Sequence, residues 1–444
     1  MSSALQLIAK CRESLRDLDP VKVYGRVSKG VGLVIEGTGP RANIGDVCQI
    51  QANASAQESF VEAEVIGFRD DKILLMPLGD MRGIGPGSKI VAKGRQRYVR
   101  VGDGLLGRVL DGMGEPLDGK GRIAGPRYPI YNEPINPLFR KRIAEPLDLG
   151  IKAINLMITC GKGQRIGIMA GSGVGKSVLL GMIARNTAAD INVISLIGER
   201  GREVREFIEK DLGAEGLKRS VIVVATSDTS PLMRIRGAFV STAIAEYFRS
   251  RGKDVLLMMD SLTRFAMAQR ELGLAAGEPP TTKGYPPSVF NLLPRLLERA
   301  GTWGRKGTIT GLYTVLVEGD DMNEPIADAA RSILDGHIIL SRDLANHNHY
   351  PAIDVLQSIS RLAKDITDEK QKNAVGKVLD SMALYKRYED VITIGAYKEG
   401  TNPKLDQAIR MMDRINALLK QDIKEKVTYK ECLLSLFALA ENKA

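Results

Sequence analysis

Eight consecutive residues, Ala170-Gly171-Ser172-Gly173-Val174-Gly175-Lys176-Ser177, follow an apolar run at 165–169 and lead into a helix-forming stretch at 178–185. Small residues let successive backbone N–H groups turn inward around an anion. A lysine at the end of such a loop reaches β- and γ-phosphates, the hydroxyl beside it suits Mg²⁺, and the helix beneath adds its positive end. Lys176 and Ser177 occupy those two places, in the order strand, loop, helix. The strict form of the pattern begins with glycine where this chain has Ala170, and a methyl is compatible there if that residue keeps ordinary φ.

Two carboxylates stand where such a loop would need them. Asp260 closes the apolar run at 255–259, in Met258-Met259-Asp260-Ser261-Leu262-Thr263-Arg264. An aspartate at that strand end fits a second partner for Mg²⁺ through water. Alone it would mean little, because strands often end in Asp; the phosphate loop gives it meaning. Glu199 follows the run at 191–197, in Gly198-Glu199-Arg200-Gly201-Arg202-Glu203. A carboxylate there can orient and polarise the water that attacks a γ-phosphate. The competing reading, a solvated first turn of helix, is accepted for Arg205 and Glu206. Arg361, in Ser358-Ile359-Ser360-Arg361, lies far along the chain. An arginine lent by a neighbouring subunit stabilises transferring phosphoryl charge, an effect of about 10³–10⁵ in rate; spacing alone does not separate it from a structural arginine.

The elements that must position these groups follow from periodicity. Between about 150 and 342, apolar strands (165–169, 191–197, 221–226, 255–259, 309–317, 337–340) alternate with helix-length segments. That order predicts a mostly parallel sheet with helices on both faces and chemistry at the carboxyl ends of its strands. From 21 to about 93 the pattern is short β segments (31–35, 61–68, 72–76, 89–92) between Gly-rich turns, which predicts a small β-barrel. Tyr24, Phe60 and Phe68 are far apart in that stretch, so it offers no stacking platform for single-stranded nucleic acid, and a structural or ring-forming barrel is expected. A Gly-dense connector spans 101–121, and prolines mark 126–146. Beyond 363 the chain reads as helices, with stripes at Val375, Val378, Leu379, Met382 and at Leu405, Ile409, Met412, Ile415, Leu419, and a last helix near 429–441. Residues 1–18 form an amphipathic helix candidate (Leu5, Ile8, Leu15, Leu18) that either packs on its own domain or docks a partner. The expected divisions are 1–18, 19–95, 96–362 and 363–444.

Composition narrows the class. At 444 residues two or three domains are expected, and 44% hydrophobic with 26% charged residues describes a soluble globular chain. No apolar run is long enough to cross a bilayer, and Lys10, Arg12 and Glu13 interrupt the N-terminus before a secretory core could form, so a cytoplasmic protein is expected. Cys11, Cys48, Cys160 and Cys432 are scattered and read as reduced thiols. His347 and His349 lack an accompanying Cys or carboxylate cluster, so no metal role is assigned to them. The net charge of +10 fits nucleic acid, an anionic membrane face or an acidic partner equally, but aromatics at 5% and the lack of interleaved basic and aromatic residues disfavour nucleic acid.

The chain resembles the rotary-type ATPases related to the catalytic subunit of ATP synthase, and within them the flagellar and virulence type III protein-export ATPases, over nearly its whole length. The residues that carry this are 170–177, Gly198-Glu-Arg-Gly-Arg-Glu-Val204, Met258-Met-Asp-Ser-Leu-Thr-Arg-Phe-Ala266 and Lys283-Gly-Tyr-Pro-Pro-Ser-Val-Phe290. Val317-Glu-Gly-Asp-Asp-Met-Asn-Glu-Pro325, Ile333-Leu-Asp-Gly-His-Ile-Ile-Leu-Ser-Arg342 and His349-Tyr-Pro-Ala-Ile-Asp354 add to them. Phe265-Ala-Met-Ala-Gln-Arg270 after Met-Met-Asp-Ser looks flagellar more than virulence-type.

The resemblance implies an α/β P-loop (RecA-like) ATPase core with an N-terminal small β-barrel and a C-terminal helical domain, using ATP and Mg²⁺ in a homohexameric ring. It gives Lys176 and Ser177 the phosphate and Mg²⁺ roles, with Asp260 as the second metal partner. Glu199 becomes the catalytic carboxylate, Arg200 a nearby charge partner, Arg361 the finger that reaches a neighbour's nucleotide, and Tyr350 the ring that stacks on adenine. It also implies a stator-like regulatory dimer on the N-terminal helix, a coiled-coil stalk protein in the pore, export-gate membrane proteins, exported proteins with their chaperones, no nucleic acid, and at most peripheral membrane contact. The acidic lever of ATP synthase should lie near 388–402, where this chain has Ile394-Gly-Ala-Tyr-Lys-Glu-Gly400. That departure speaks against a proton-coupled synthase subunit. An injectisome ATPase and, from another class, a ring-shaped RNA translocase stand as alternatives.

Overall fold

The computed structural model describes residues 23–52, 59–94, 98–317, 319 and 321–441. The helix expected over 1–18 lies outside them. The chain divides into two compact units, Met1–Gln96 and Arg97–Ala444.

The first unit is a closed antiparallel barrel of β1 (Gly25–Val31), β2 (Val34–Thr38), β3 (Val47–Ala52), β4 (Ser59–Arg69), β5 (Lys72–Pro77) and β6 (Lys89–Gly94), in the order β1-β2-β5-β4-β3-β6. Ile35, Cys48, Ile50, Val65, Leu75 and Ile90 fill it. The stretch 31–35, expected as a single strand, is the β1–β2 hairpin turn: Val31 pairs with Val34 across Gly32-Leu33. An apolar run with one glycine reads as a strand, whereas the chain reverses at that glycine (φ 57°). The β4–β5 hairpin turns through Asp70 and Asp71, both at positive φ (46° and 61°), the conformation that a two-residue hairpin loop demands and that Asp tolerates.

In the second unit, β7 (Tyr98–Arg100) and β9 (Arg127–Pro129) make a separate two-stranded ribbon. The main sheet contains β8 (Arg108–Asp111), β10 (Arg165–Ala170), β11 (Ile191–Ile197), β12 (Ser220–Ala225), β13 (Asp254–Asp260), β14 (Thr308–Leu316), β15 (Gly336–Leu340) and β16 (Ile353–Ser360). Its order is β16-β15-β10-β14-β13-β11-β12-β8, and every pair is parallel except β15–β16. Both faces are covered, so its central strands are apolar without alternation. Along β13, Val255, Leu257 and Met259 join one core with the helices Pro231–Ser250, Leu262–Ala276 and Pro287–Leu297. Leu256 and Met258 join the other, with the helix Lys176–Asn186.

Two edge strands were not expected. β8 comes from the Gly-dense connector and is only four residues long, flanked by the buried pair Arg108–Asp118 (2.7 Å). β16 is half polar (Asp354, Gln357, Ser358, Ser360) because it lies at the sheet edge.

Three C-terminal helices, Glu369–Thr393, Pro403–Leu419 and Tyr429–Ala440, pack Val378, Met411, Ile415 and Leu436 into the second core beside Ile154 and Ile158. The tip between the first two, where a synthase would carry its acidic lever, presents Ile394 to solvent, and the Tyr397 hydroxyl donates to Asp406 at 2.7 Å. Cys48, Cys160 and Cys432 are buried free thiols. Among the described residues, no helix is long and apolar enough to cross a membrane.

Candidate active site

β10 lies near the middle of the sheet, between β15 and β14, and its carboxyl end opens into the loop 171–175. Ala170 is the last residue of that strand, paired with Leu316 and Leu340 and buried, so its methyl meets no backbone demand that only glycine could satisfy. Val174, 2% exposed, pins the loop to the second core. Gly171 is buried, while Ser172 and Gly173 are exposed. Gly175, at φ 86°, is the left-handed residue from which the helix Lys176–Asn186 starts. Ser177 lies exposed in the first turn of that helix.

The Lys176 ammonium is shared by two carboxylates. It makes a short ion pair with Asp260 Oδ1 and lies 3.5 Å from Glu199 Oε1. Three strands deliver these groups to one point: β10 through its loop, β13 through its last residue, and β11, which pairs Leu196 with Asp260 and so brings Glu199 alongside. Thr314, on β14 between β10 and β13, donates its hydroxyl to Asp260 Oδ1 at 2.7 Å. Burial works against the charge on Lys176, but Asp260 and Glu199 outweigh it and its pKa is raised. Glu199 is pushed up to about 7, first by burial and then by the Asp260 charge, with Lys176 pulling the other way.

Gly198 holds Glu199 in place. It has φ 71°, and a Cβ there would meet the Arg264 side chain at 2.7 Å. Arg200, expected as a charge partner near the site, instead points outward: its side chain is 76% exposed and pairs with Glu203 at 3.2 Å, one helical turn on.

Tyr350 comes to the loop from the connection between β15 and β16, at the same end of the sheet. Its ring edge lies 3.5 Å from where a Cβ on Gly175 would be. It borders a cavity of about 730 Å³ whose walls include Gly173, Val178, Lys420, Gln421 and Ile423. Tyr350 is 43% exposed and lines that cavity.

Arg361 is not brought to this site. β16 runs antiparallel to β15, Ser360 pairs with Gly336, and the Arg361 N–H donates to the Asp335 carbonyl at 3.0 Å. Arg361 therefore lies at the amino end of β15, four to five residues and about 15 Å along the strands from the loop. Its guanidinium donates to the Arg331 carbonyl at 3.1 Å.

Two residues were missed by the sequence reading. Thr314 left little signal, since it is one of three threonines in the strand Thr308–Leu316 and only the fold sets it against Asp260. Gln421 left none: it follows a helix with no local mark, and only the fold brings it to the cavity.

The family models agree with this three-part arrangement. Residues 27–94 match the ATP synthase alpha/beta family beta-barrel domain, residues 150–360 the nucleotide-binding domain of the same family, and residues 367–438 the T3SS EscN ATPase C-terminal domain. A flagellum-specific ATP synthase of Bacillus subtilis is 54% identical, with 96% of this chain and 97% of the relative covered. One from Salmonella typhimurium is 49% identical, with 94% of each covered. A type 3 secretion system ATPase of Xanthomonas euvesicatoria is 49% identical, again with 94% of each covered. Among solved structures, the assembled ATPase EscN of the enteropathogenic E. coli type III secretion system superposes with a TM-score of 0.88 at 45% identity, over 94% of this chain and all of that one. The same ATPase in complex with its central stalk EscO gives 0.86 at 44% identity, with 94% and 100% covered. The resemblance and the fold class expected from the sequence are both borne out. The chain belongs to the family of flagellar and type III secretion ATPases, built on the ATP synthase alpha/beta plan.

Proposed function

We propose that this chain is the ATPase of a flagellar type III protein-export apparatus, hydrolysing ATP to ADP and phosphate in a homohexameric ring to drive or prime export. The observation that carries the chemistry is the convergence of Lys176, Glu199 and Asp260 at the mouth of the phosphate loop. Loop N–H groups and Lys176 bind the β- and γ-phosphates, for which Lys176 exchanges its bond to Asp260. Glu199, half-buried and a carboxylate above pH of about 7, orients the attacking water and accepts its proton. Tyr350 stacks on the adenine.

The donors available to Mg²⁺ are hard oxygens, the Ser177 hydroxyl and the Asp260 carboxylate, which suits that ion. Among the described residues, no group of three or more His, Cys, Asp or Glu could cage a metal, so Mg²⁺ would arrive held mainly by phosphates and water. When bound, it neutralises charge on the β- and γ-oxygens.

The ring reading rests on Arg361. It stands about 15 Å along the strands from its own loop, which supports a role on a neighbour's nucleotide. Residues 1–18 would take a stator-like regulatory dimer. The C-terminal helices would face a coiled-coil stalk protein and the export-gate membrane proteins, with exported proteins and their chaperones as clients and the body at most peripheral to the membrane, in the cytoplasm.

Phosphate release from ATP in the presence of Mg²⁺, compared between wild type and Lys176→Ala, tests the chemistry. Loss of essentially all turnover in the variant is expected. Turnover within a few-fold of wild type would remove the phosphate loop from the reaction.

A further inference from the structure

One wall of the 730 Å³ cavity is the turn that follows the helix Pro403–Leu419. Within it Gln421 is 5% exposed, and its bonds run to three separate segments. Its Oε1 accepts the Lys152 N–H at 2.8 Å, and its Nε2 donates to the Gly150 carbonyl at 2.8 Å and to the Glu425 carbonyl at 3.1 Å. Its backbone N–H donates to the Tyr350 carbonyl at 3.0 Å. The side chain thus fixes residue 421 to the segment 150–152, and the main chain of that fixed residue holds Tyr350.

Tyr350 needs such a hold. It lies between the short helix Arg342–Asn346 and β16, in a stretch that includes Asn348 at positive φ (53°), and has no ladder of its own. An aromatic platform contributes to binding only as far as its position is set before the ligand arrives, because ordering it afterwards consumes binding energy. A buried carboxamide with its acceptor and donor both engaged is well suited to that purpose.

We infer that Gln421 is a positioning residue for the base of the bound nucleotide, acting through Tyr350 and joining the C-terminal helices to the nucleotide pocket. The inference rests on reading the cavity as the base site. It makes base affinity, and not phosphate affinity, depend on where the helix Pro403–Leu419 stands. A shift of that helix loosens the base while Lys176 and the loop keep the phosphates.

The test compares ADP with pyrophosphate, each with Mg²⁺, by calorimetric titration of the full chain. Gln421→Met keeps the volume and removes the amide. The expected result is a loss of about tenfold in ADP affinity with less than about twofold for pyrophosphate. In a double-mutant cycle, adding Gln421→Met to Tyr350→Ala should weaken ADP by less than about twofold more, because the two act in series. Equal losses for ADP and pyrophosphate, unchanged ADP affinity, or additive losses in the cycle would each overturn the inference and leave a plain structural staple. Should the methionine variant not fold, Gln421→Glu keeps the acceptor for Lys152 and loses both donors, and the same split is expected of it. A wild-type chain that binds ADP no more tightly than pyrophosphate would instead remove the base-site reading itself.

Discussion

Glu199 Oε1 stands 3.5 Å from Lys176 Nζ while the same ammonium is bound to Asp260, so one lysine is divided between two carboxylates. Burial and then the Asp260 charge hold a proton on one carboxyl here to higher pH than usual, with the ammonium opposing both. That group is Glu199.

The first prediction is a pH profile. Burial, and then Asp260, raise Glu199 to about 7, with Lys176 opposing. Its carboxylate is the form that accepts a proton from water, so kcat/KM should climb through about pH 7 and level off above it. For stability the sign is opposite. A raised native pKa favours the protonated native state, so that contribution is complete below the unfolded value of about 4.3 and is lost as pH rises through about 7. Steady-state rates across that range check the first statement and denaturant midpoints the second. A rate profile flat between about pH 6 and 8 contradicts the assignment.

Glu199→Gln should separate binding from chemistry. The amide keeps the volume but cannot take a proton, so ATP binding should stay within a few-fold of wild type while kcat falls by about 10²–10⁴. Titration of a fluorescent ATP analogue beside phosphate release measures both. Hydrolysis within a few-fold of wild type would give the water to another group.

Much of the sheet was legible in the sequence because buried parallel strands leave continuous apolar runs. Asp260 and Glu199, the two carboxylates that the fold sets beside Lys176, stand where two such runs stop. The edge strands were not legible that way: β8 is short and charged, and β16 is half polar because only one flank of it is paired. Gly32 broke an apolar run that read as one strand, since periodicity does not register a reversal. Gln421 was out of reach for a different reason, as its partners Gly150, Lys152 and Tyr350 are adjacent only after the C-terminal helices have folded back onto the sheet. Arg361 was visible as a residue, yet its distance from its own loop follows only from the antiparallel return of β16.

That distance yields the third prediction. Arg361→Ala should be inactive even when assembled, and so should Lys176→Ala. Mixed in varied ratios, the two should recover a fraction of activity, because a subunit with an intact loop can take the arginine of a neighbour that lacks Lys176. Absence of recovery at every ratio would count against an arginine acting between chains.

A fourth prediction concerns the frame. Arg299 and Glu246 form a buried pair at 2.7 Å, their side chains 1% and 3% exposed. The pair also holds the Pro-marked segment, through Asn132 to Glu246 and through Arg299 to the Ile130 carbonyl, both at 2.7 Å. Arg299→Met removes one partner and strands the other charge, so a loss of about 3–5 kcal/mol is expected from denaturant unfolding. A loss below about 1 kcal/mol would mean that the carboxylate finds other compensation.

The account as a whole turns on a pocket completed by a second copy of the chain. Specific ATPase activity measured against protein concentration, with the particle mass determined at each point, addresses that most directly. Activity per chain should rise in step with the appearance of a sixfold mass and be close to nil in the monomer. A monomer that turns over ATP as fast per chain as the assembled particle would contradict it.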